Sequence, residues 1–103
     1  MNIQKMMKQA QKMQEQLARA QDDLAGKTVE VTAGGGKVTV VATGAGDVLS
    51  IKISKDVVDP EDVELLEEMV LSGVKQAIAK GKEMAQQEMN KLTSVMGLPP
   101  GLI

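Results

Sequence analysis

The 103-residue chain contains no cysteine, no histidine and no aromatic residue. The first two absences exclude disulfides, thiolate nucleophiles, imidazole bases and the zinc sites that these side chains build. Without aromatic rings, recognition of single-stranded nucleic acid by base stacking is not expected. The core must be built from aliphatic residues and eight Met. Because most catalytic constellations and cofactor-binding motifs are missing, we expect neither an enzyme nor a cofactor.

Long apolar runs are also lacking. No segment approaches the ~20 apolar residues of a membrane span, and the N-terminus has no signal-peptide-like apolar stretch. We therefore expect a cytoplasmic protein with no membrane partner. The length suits one small domain spanning residues 1–103. Because such a domain buries only a modest core, self-association is expected.

The formal net charge is −2, which alone argues against nucleic acid as a partner. The charges are nevertheless segregated, because seven acids and no cation lie between residues 56 and 68. They are Asp56, Asp59, Glu61, Asp62, Glu64, Glu67 and Glu68. The block lacks the spacing and central glycine of a calcium loop, so helix capping and a solvated face explain it better than a metal site. It could also orient the basic side of the molecule towards a polyanion.

The first 25 residues show a seven-residue apolar period, which predicts a helix over 1–25 with one narrow seam. The seam is formed by Ile3, Met6, Ala10, Met13, Leu17, Ala20 and Leu24. Gly26 stands where a left-handed C-terminal cap is expected. Packing in the core or in a dimer is the favoured role of the methionines in this helix, and a membrane-surface or partner-helix face is the alternative.

Residues 28–54 alternate apolar and polar side chains in three runs separated by glycine-rich breaks, a pattern that predicts an antiparallel β-meander. Leu49, Ile51 and Ile53 are expected to face inward from the third strand. The break at 34–37 resembles a phosphate loop but lacks its earlier Gly, its Ser or Thr and its following helix. The break at 44–47 likewise lacks the third glycine of a dinucleotide fingerprint. Both breaks are therefore predicted to be turns.

A second helix is predicted over 59–96, with Asp59 as its N-cap and Pro60 in its first position. A small-residue row at Gly73, Ala77, Gly81 and Ala85 would let another helix approach closely. A helix broken near Gly73 or Gly81 is the alternative to one continuous helix. Residues 97–103 are expected to be a loose tail. Since 1.5 Å per residue makes both helices longer than a compact domain of this size, we predict a homodimer with projecting helices.

Cationic side chains form a stripe along the first helix beside its apolar seam, and further cations occur in the last helix. If the two helices lie side by side as projecting arms, these groups converge on a double-stranded polyanion and contact its phosphates. The alternative for the stripe is an ordinary solvated helix face. A second alternative is a homodimeric protein-interaction module that serves DNA replication or repair proteins, which would be the partners in that case.

The run Met7–Glu15 resembles the N-terminal helix signature of the YbaB/EbfC nucleoid-associated proteins. The glycine-broken strand at 38–44, Ile51-x-Ile53, the segment Asp59–Glu68 and the tail Leu98–Gly101 are similar to theirs in the same order. The resemblance implies an α+β fold and a tweezer-like homodimer. It also implies binding to double-stranded DNA, a change in DNA conformation, an influence on gene expression and a location at the nucleoid. The DNA contacts implied by the resemblance are Lys5, Lys8, Lys12, Arg19, Lys80, Lys82 and Lys91.

Overall fold

The computed structural model describes residues 2–95, apart from the side chains of Thr93 and Val95. The elements are α1 (Ile3–Gly26), β1 (Thr28–Ala33), β2 (Val38–Thr43), β3 (Val48–Ile53) and α2 (Val63–Val95), with a short 3-10 turn at Lys55–Val57. The α+β order predicted from the sequence is thus confirmed. The expected loose tail, residues 97–103, lies outside the described residues.

The three strands form one antiparallel sheet in the order β1-β2-β3. The β1–β2 turn is closed by the Ala33–Val38 pair, and Gly34, Gly35 and Gly36 all have positive φ angles of 62–89°. L-residues with a side chain rarely adopt that conformation, so glycine suits this turn. The β2–β3 turn is closed by the Thr43 hydroxyl, which accepts hydrogen bonds from the amides of Ala45 and Asp47 at 3.2 Å. Both breaks are turns, as predicted.

Helix α2 lies across β1 and β2. Its small-residue row lies against the sheet and not against a second helix. Gly73 faces Val40, and Gly81 lies against the backbone carbonyl of Thr43, where a β-carbon would clash. Ala77, between them, is fully buried together with Val38. The row therefore allows close approach as expected, but its partner is strand β2. The helix continues unbroken through both glycines to Val95.

The first helical residue of α2 is Val63 rather than Pro60, three residues later than predicted. The Asp59 carboxylate accepts a hydrogen bond from the amide of Glu61 at 2.9 Å and closes a local turn. The Asp62 carboxylate instead accepts from the amide of Leu65 at 3.4 Å, as the N-cap of a helix beginning at Val63 does. The prediction of Asp59 as N-cap is therefore wrong. Both aspartates can satisfy free amides, and the second one begins the helix.

The end of α1 is also held differently from the prediction. Gly26 is the last helical residue, and it is not among the residues with positive φ. Lys27 leaves the helix in an extended conformation, and its amide donates to the carbonyl of Leu24 at 3.2 Å. The amide of Gly44 also donates to the Leu24 carbonyl at 3.2 Å. This bond attaches the end of α1 to the β2–β3 turn, so the left-handed cap expected at Gly26 is not needed.

The apolar side chains of β3 are not covered by α2. Ile51 pairs with Val40 and Ile53 with Val38, so their side chains lie on the face that packs on α2. They remain 41% and 40% exposed, and Leu49, the extra residue of a bulge, is 60% exposed. The expected inward face is thus confirmed for Ile51 and Ile53. None of the three side chains is buried in a single chain, however, because α2 covers β1 and β2 instead.

Candidate nucleic-acid interface

The candidate interface lies on an arm made by the two helices beyond one end of the sheet. Leu24 and Met84 both lie beside Gly44, so α1 and α2 leave the sheet at the same end. Their facing surfaces share a cleft lined by Ala20 and Leu24 from α1 and by Leu92 from α2. The molecule measures 72 × 19 × 16 Å, with a radius of gyration of 19.4 Å. A compact 100-residue domain has about 13 Å, so the helices project as predicted from their lengths.

The four predicted cations of α1 share one stripe along this arm. Lys5, Lys12 and Arg19 are seven residues apart, and Lys8 falls beside them at helical spacing, so all four occupy a face turned away from the apolar seam. All four are exposed. The first acid in the chain is Glu15, which interrupts the stripe between Lys12 and Arg19. The part of α1 before Glu15 is therefore purely cationic.

Intramolecular ion pairs do not neutralise this stripe. Among residues 2–95, the recorded ion pairs join Lys27 to Glu88 at 3.5 Å and Lys37 to Asp56 at 3.0 Å. Neither pair includes a cation of α1. Ammonium and guanidinium groups on an exposed face without a carboxylate partner can pair with an external anion, so the chemistry of the stripe suits a phosphate ligand.

The predicted cations of α2 do not form one group. Lys80 lines a shallow cleft beside β1 together with Glu30 and Glu83. The stem of Lys82 lies beside Gly46 in the β2–β3 turn, towards the other edge of the sheet. Lys91 lines the cleft between α1 and α2. Of these three, only Lys91 therefore joins the arm that carries the α1 stripe.

Lys27, which no sequence pattern singles out, lines that cleft together with Lys91. The cleft also contains Asp23 and Glu88, so its two cations face two carboxylates. Lys27 and Lys91 are 64 positions apart, and helical spacing cannot bring residues from two elements together. Only the antiparallel approach of α1 and α2 could have revealed this mixed cluster, which is nearly neutral in charge.

The acidic block occupies the opposite end of the molecule. Met69 lies beside Gly34 and Lys37 pairs with Asp56, so the start of α2 lies at the β1–β2 turn. The α1 arm leaves from the other end of the same strands, beside Gly44. Within the described residues, no group of three or more acidic side chains is arranged to hold a metal ion. Charge is thus separated along the longest dimension of the molecule.

Comparison with known proteins identifies the family. The profile of the YbaB/EbfC DNA-binding family matches residues 1–96. The chain belongs to that family. A nucleoid-associated protein of Ruminiclostridium cellulolyticum is 48% identical over 98% of this chain and 88% of its own length. One from Acetivibrio thermocellus is 50% identical over 98% and 89%, and one from Akkermansia muciniphila is 50% identical over 99% and 98%.

A solved structure supports the fold of this YbaB/EbfC protein independently. The crystal structure of an uncharacterised protein from Helicobacter pylori superposes with a TM-score of 0.63, covering 76% of this chain and 90% of that one. At 18% identity this likeness shows the fold alone. The family and its relatives are described as DNA-binding and nucleoid-associated, not as enzymes. Nothing in that description favours the protein-interaction alternative, and no helix within residues 2–95 is long and apolar enough to cross a membrane.

Proposed function

We propose that the protein acts as a homodimer at the nucleoid, where its arms grip the phosphate backbone of double-stranded DNA and alter the path of the duplex. The observation that carries this proposal is the stripe of four exposed cations on α1, none of which has an ion-pair partner among residues 2–95. Membership of a DNA-binding family supports DNA as the ligand, and the cationic stripe supports contact with its phosphates.

The uncovered side of the sheet supports the homodimer. A groove of 440 Å³ runs between β3 and α2, and its lining is apolar except for one residue. It is lined by Ile53, Leu66, Glu67, Val70, Leu71 and Val74. The chain exposes 7524 Å², whereas a compact monomer of 10.9 kDa would expose about 5,600 Å². The difference exceeds the ~800 Å² that each partner buries in a standard interface.

Backbone contact is the mode that the side chains permit. Lysine binds phosphate as a point charge, and such contacts carry no sequence information of their own. The chain has no aromatic residue to stack on an unpaired base. If both arms of a homodimer place four α1 cations on phosphates, about eight counterions are displaced. The logarithm of the binding constant should then fall with the logarithm of salt concentration with a slope of up to about −7.

Two triple variants with the same total charge test the proposal. Lys5, Lys8 and Lys12 are changed to Glu in the first, whereas Lys52, Lys55 and Lys75, which are also exposed, are changed to Glu in the control. Each protein is titrated with random-sequence duplex DNA at several salt concentrations. We expect the arm variant to lose at least a hundredfold in affinity and most of its salt slope, while the control stays within about tenfold of wild type. Equal losses in both variants would mean that total charge, not the arm, governs binding.

A further inference from the structure

Large exposed apolar side chains fall into two separate groups. One group surrounds β3 and the start of α2, where the proposed homodimer covers it. The other is Ile3, Met6 and Met7, which are 70%, 54% and 59% exposed at the far end of α1. Leu24, at the inner end of the same seam, is buried against the sheet. At 1.5 Å per residue, Ile3 lies about 31 Å further out. An interface centred on β3 therefore leaves this second group unexplained.

The outer half of the seam consists of Ile3, Met6, Ala10 and Met13. The side chains beside it restrict what kind of partner can cover it. The positions that flank the seam on its two sides are occupied by Met7 and Gln14 and by Gln9 and Gln16, which carry no charge. The cations lie on the opposite face of the helix. Flanking charges are what direct a seam of this kind towards a particular foreign helix, and here they are absent. A covering helix would not approach a cation, and the stripe would stay free for DNA.

We propose that the outer half of α1 is a self-association surface, on which the same segment of α1 from a second homodimer packs in antiparallel orientation. The seam is complementary to itself in that arrangement. In the register that we propose, Met6 of each copy lies opposite Ala10 of the other, and Ile3 lies opposite Met13. Each large side chain at the centre meets a small one, so the two helices can interdigitate. The lysines of both copies point outward from the pair.

Such a contact links homodimers rather than forming them. It involves about three turns of each helix. The surface that three turns bury is much smaller than the ~800 Å² that each partner buries in a stable interface. It is therefore weak for free homodimers and becomes effective when DNA raises their local concentration, as in any multivalent assembly. Two homodimers joined by their arms would bridge two duplex segments. This bridging rests on the proposed DNA binding, whereas the helix contact itself does not.

Single cysteines can test the contact, because the natural chain contains none. Homodimers of the M6C variant and of the A10C variant are purified separately, mixed without DNA and treated with a short thiol-specific cross-linker. A pair of variants on the outer face, K8C and K12C, serves as the control. We expect the M6C and A10C mixture to give at least ten times more cross-linked product than the control, with a native mass of four chains. The I3S and M6S changes, introduced together into the A10C variant, should remove that product.

Three results would overturn the proposal. The first is a cross-link yield no greater than that of the control pair. The second is a product with the native mass of a single homodimer, which would place the contact between the two arms of one homodimer. The third is a tenfold rise in yield after deletion of residues 96–103, which would show that the chain's own C-terminal segment occupies the seam. None of these measurements involves DNA, so a failure here is distinguishable from a failure of the proposed DNA binding.

Discussion

The close approach of α2 to the sheet at Gly81 makes a quantitative prediction. A β-carbon at this position would meet the Thr43 carbonyl, whose oxygen also accepts a hydrogen bond from the amide of Gly46 at 3.0 Å. The obstacle is backbone and cannot turn aside as a side chain would. Because the obstacle is backbone, the overpacking cost lies in the upper part of the usual range, at about 2–3 kcal/mol, and the gain in helix propensity from Gly to Ala returns about 1 kcal/mol. We expect Gly81→Ala to destabilise the protein by about 1–2 kcal/mol.

The assay is thermal unfolding followed by circular dichroism at one fixed protein concentration, because the stability of an oligomer depends on concentration. A domain of this size loses about 4–8 °C of Tm per kcal/mol, so Tm should fall by about 5–15 °C. Gly26→Ala is the matched control. Gly26 is also helical, and nothing lies within 4 Å of its added β-carbon, so Tm should stay equal or rise. If Gly81→Ala melts at or above wild type, the helix is not held against Thr43 as described.

Two further predictions concern the start of α2 and the uncovered strand. Asp62→Ala should lower the free energy of unfolding by about 1 kcal/mol because it removes the N-cap. Asp59→Ala removes only a turn contact and should lower it by less. Denaturant titration measures both changes, and a larger loss for Asp59→Ala would contradict Asp62 as the N-cap. Changing Ile51 and Ile53 together to Asp should convert the proposed homodimer into a monomer, because each chain would have to bury two carboxylates in the proposed apolar interface. Light scattering would reveal this, and an unchanged mass would place the interface elsewhere.

Local patterns predicted most of the fold. The seam of α1 and the alternation in the three strands are properties of neighbouring residues, and their predicted bounds agree with the structure to within one or two residues. The start of α2 was missed because Asp59 and Asp62 both have cap chemistry, and local sequence does not rank them. The exposure of Ile51 and Ile53 was missed because it depends on where α2 crosses the sheet, which is decided by the glycines that admit β2.

The same distinction applies to the candidate site. Lys5, Lys8, Lys12 and Arg19 lie on one helix, so their spacing alone places them on one face. Lys80, Lys82 and Lys91 also share a helix, but their neighbours belong to three different parts of the fold. A cation's surroundings depend on tertiary packing, and sequence spacing contains no information about it. Whether these three contact DNA stays a prediction, and variants of single lysines would separate their contributions from that of the α1 stripe.

Separation of charge explains how a chain with a net charge of −2 can serve a polyanion. Exposed charges are screened over about 8 Å at physiological ionic strength. Helix α1 has 24 residues and is therefore about 36 Å long, and the sheet lies between its inner end and the acidic block. A phosphate beside Lys5 is thus several screening lengths from the nearest acid of that block and responds to the local cations alone. Net charge describes the molecule seen from far away, whereas a duplex bound in the proposed way would meet only the charges of the arm.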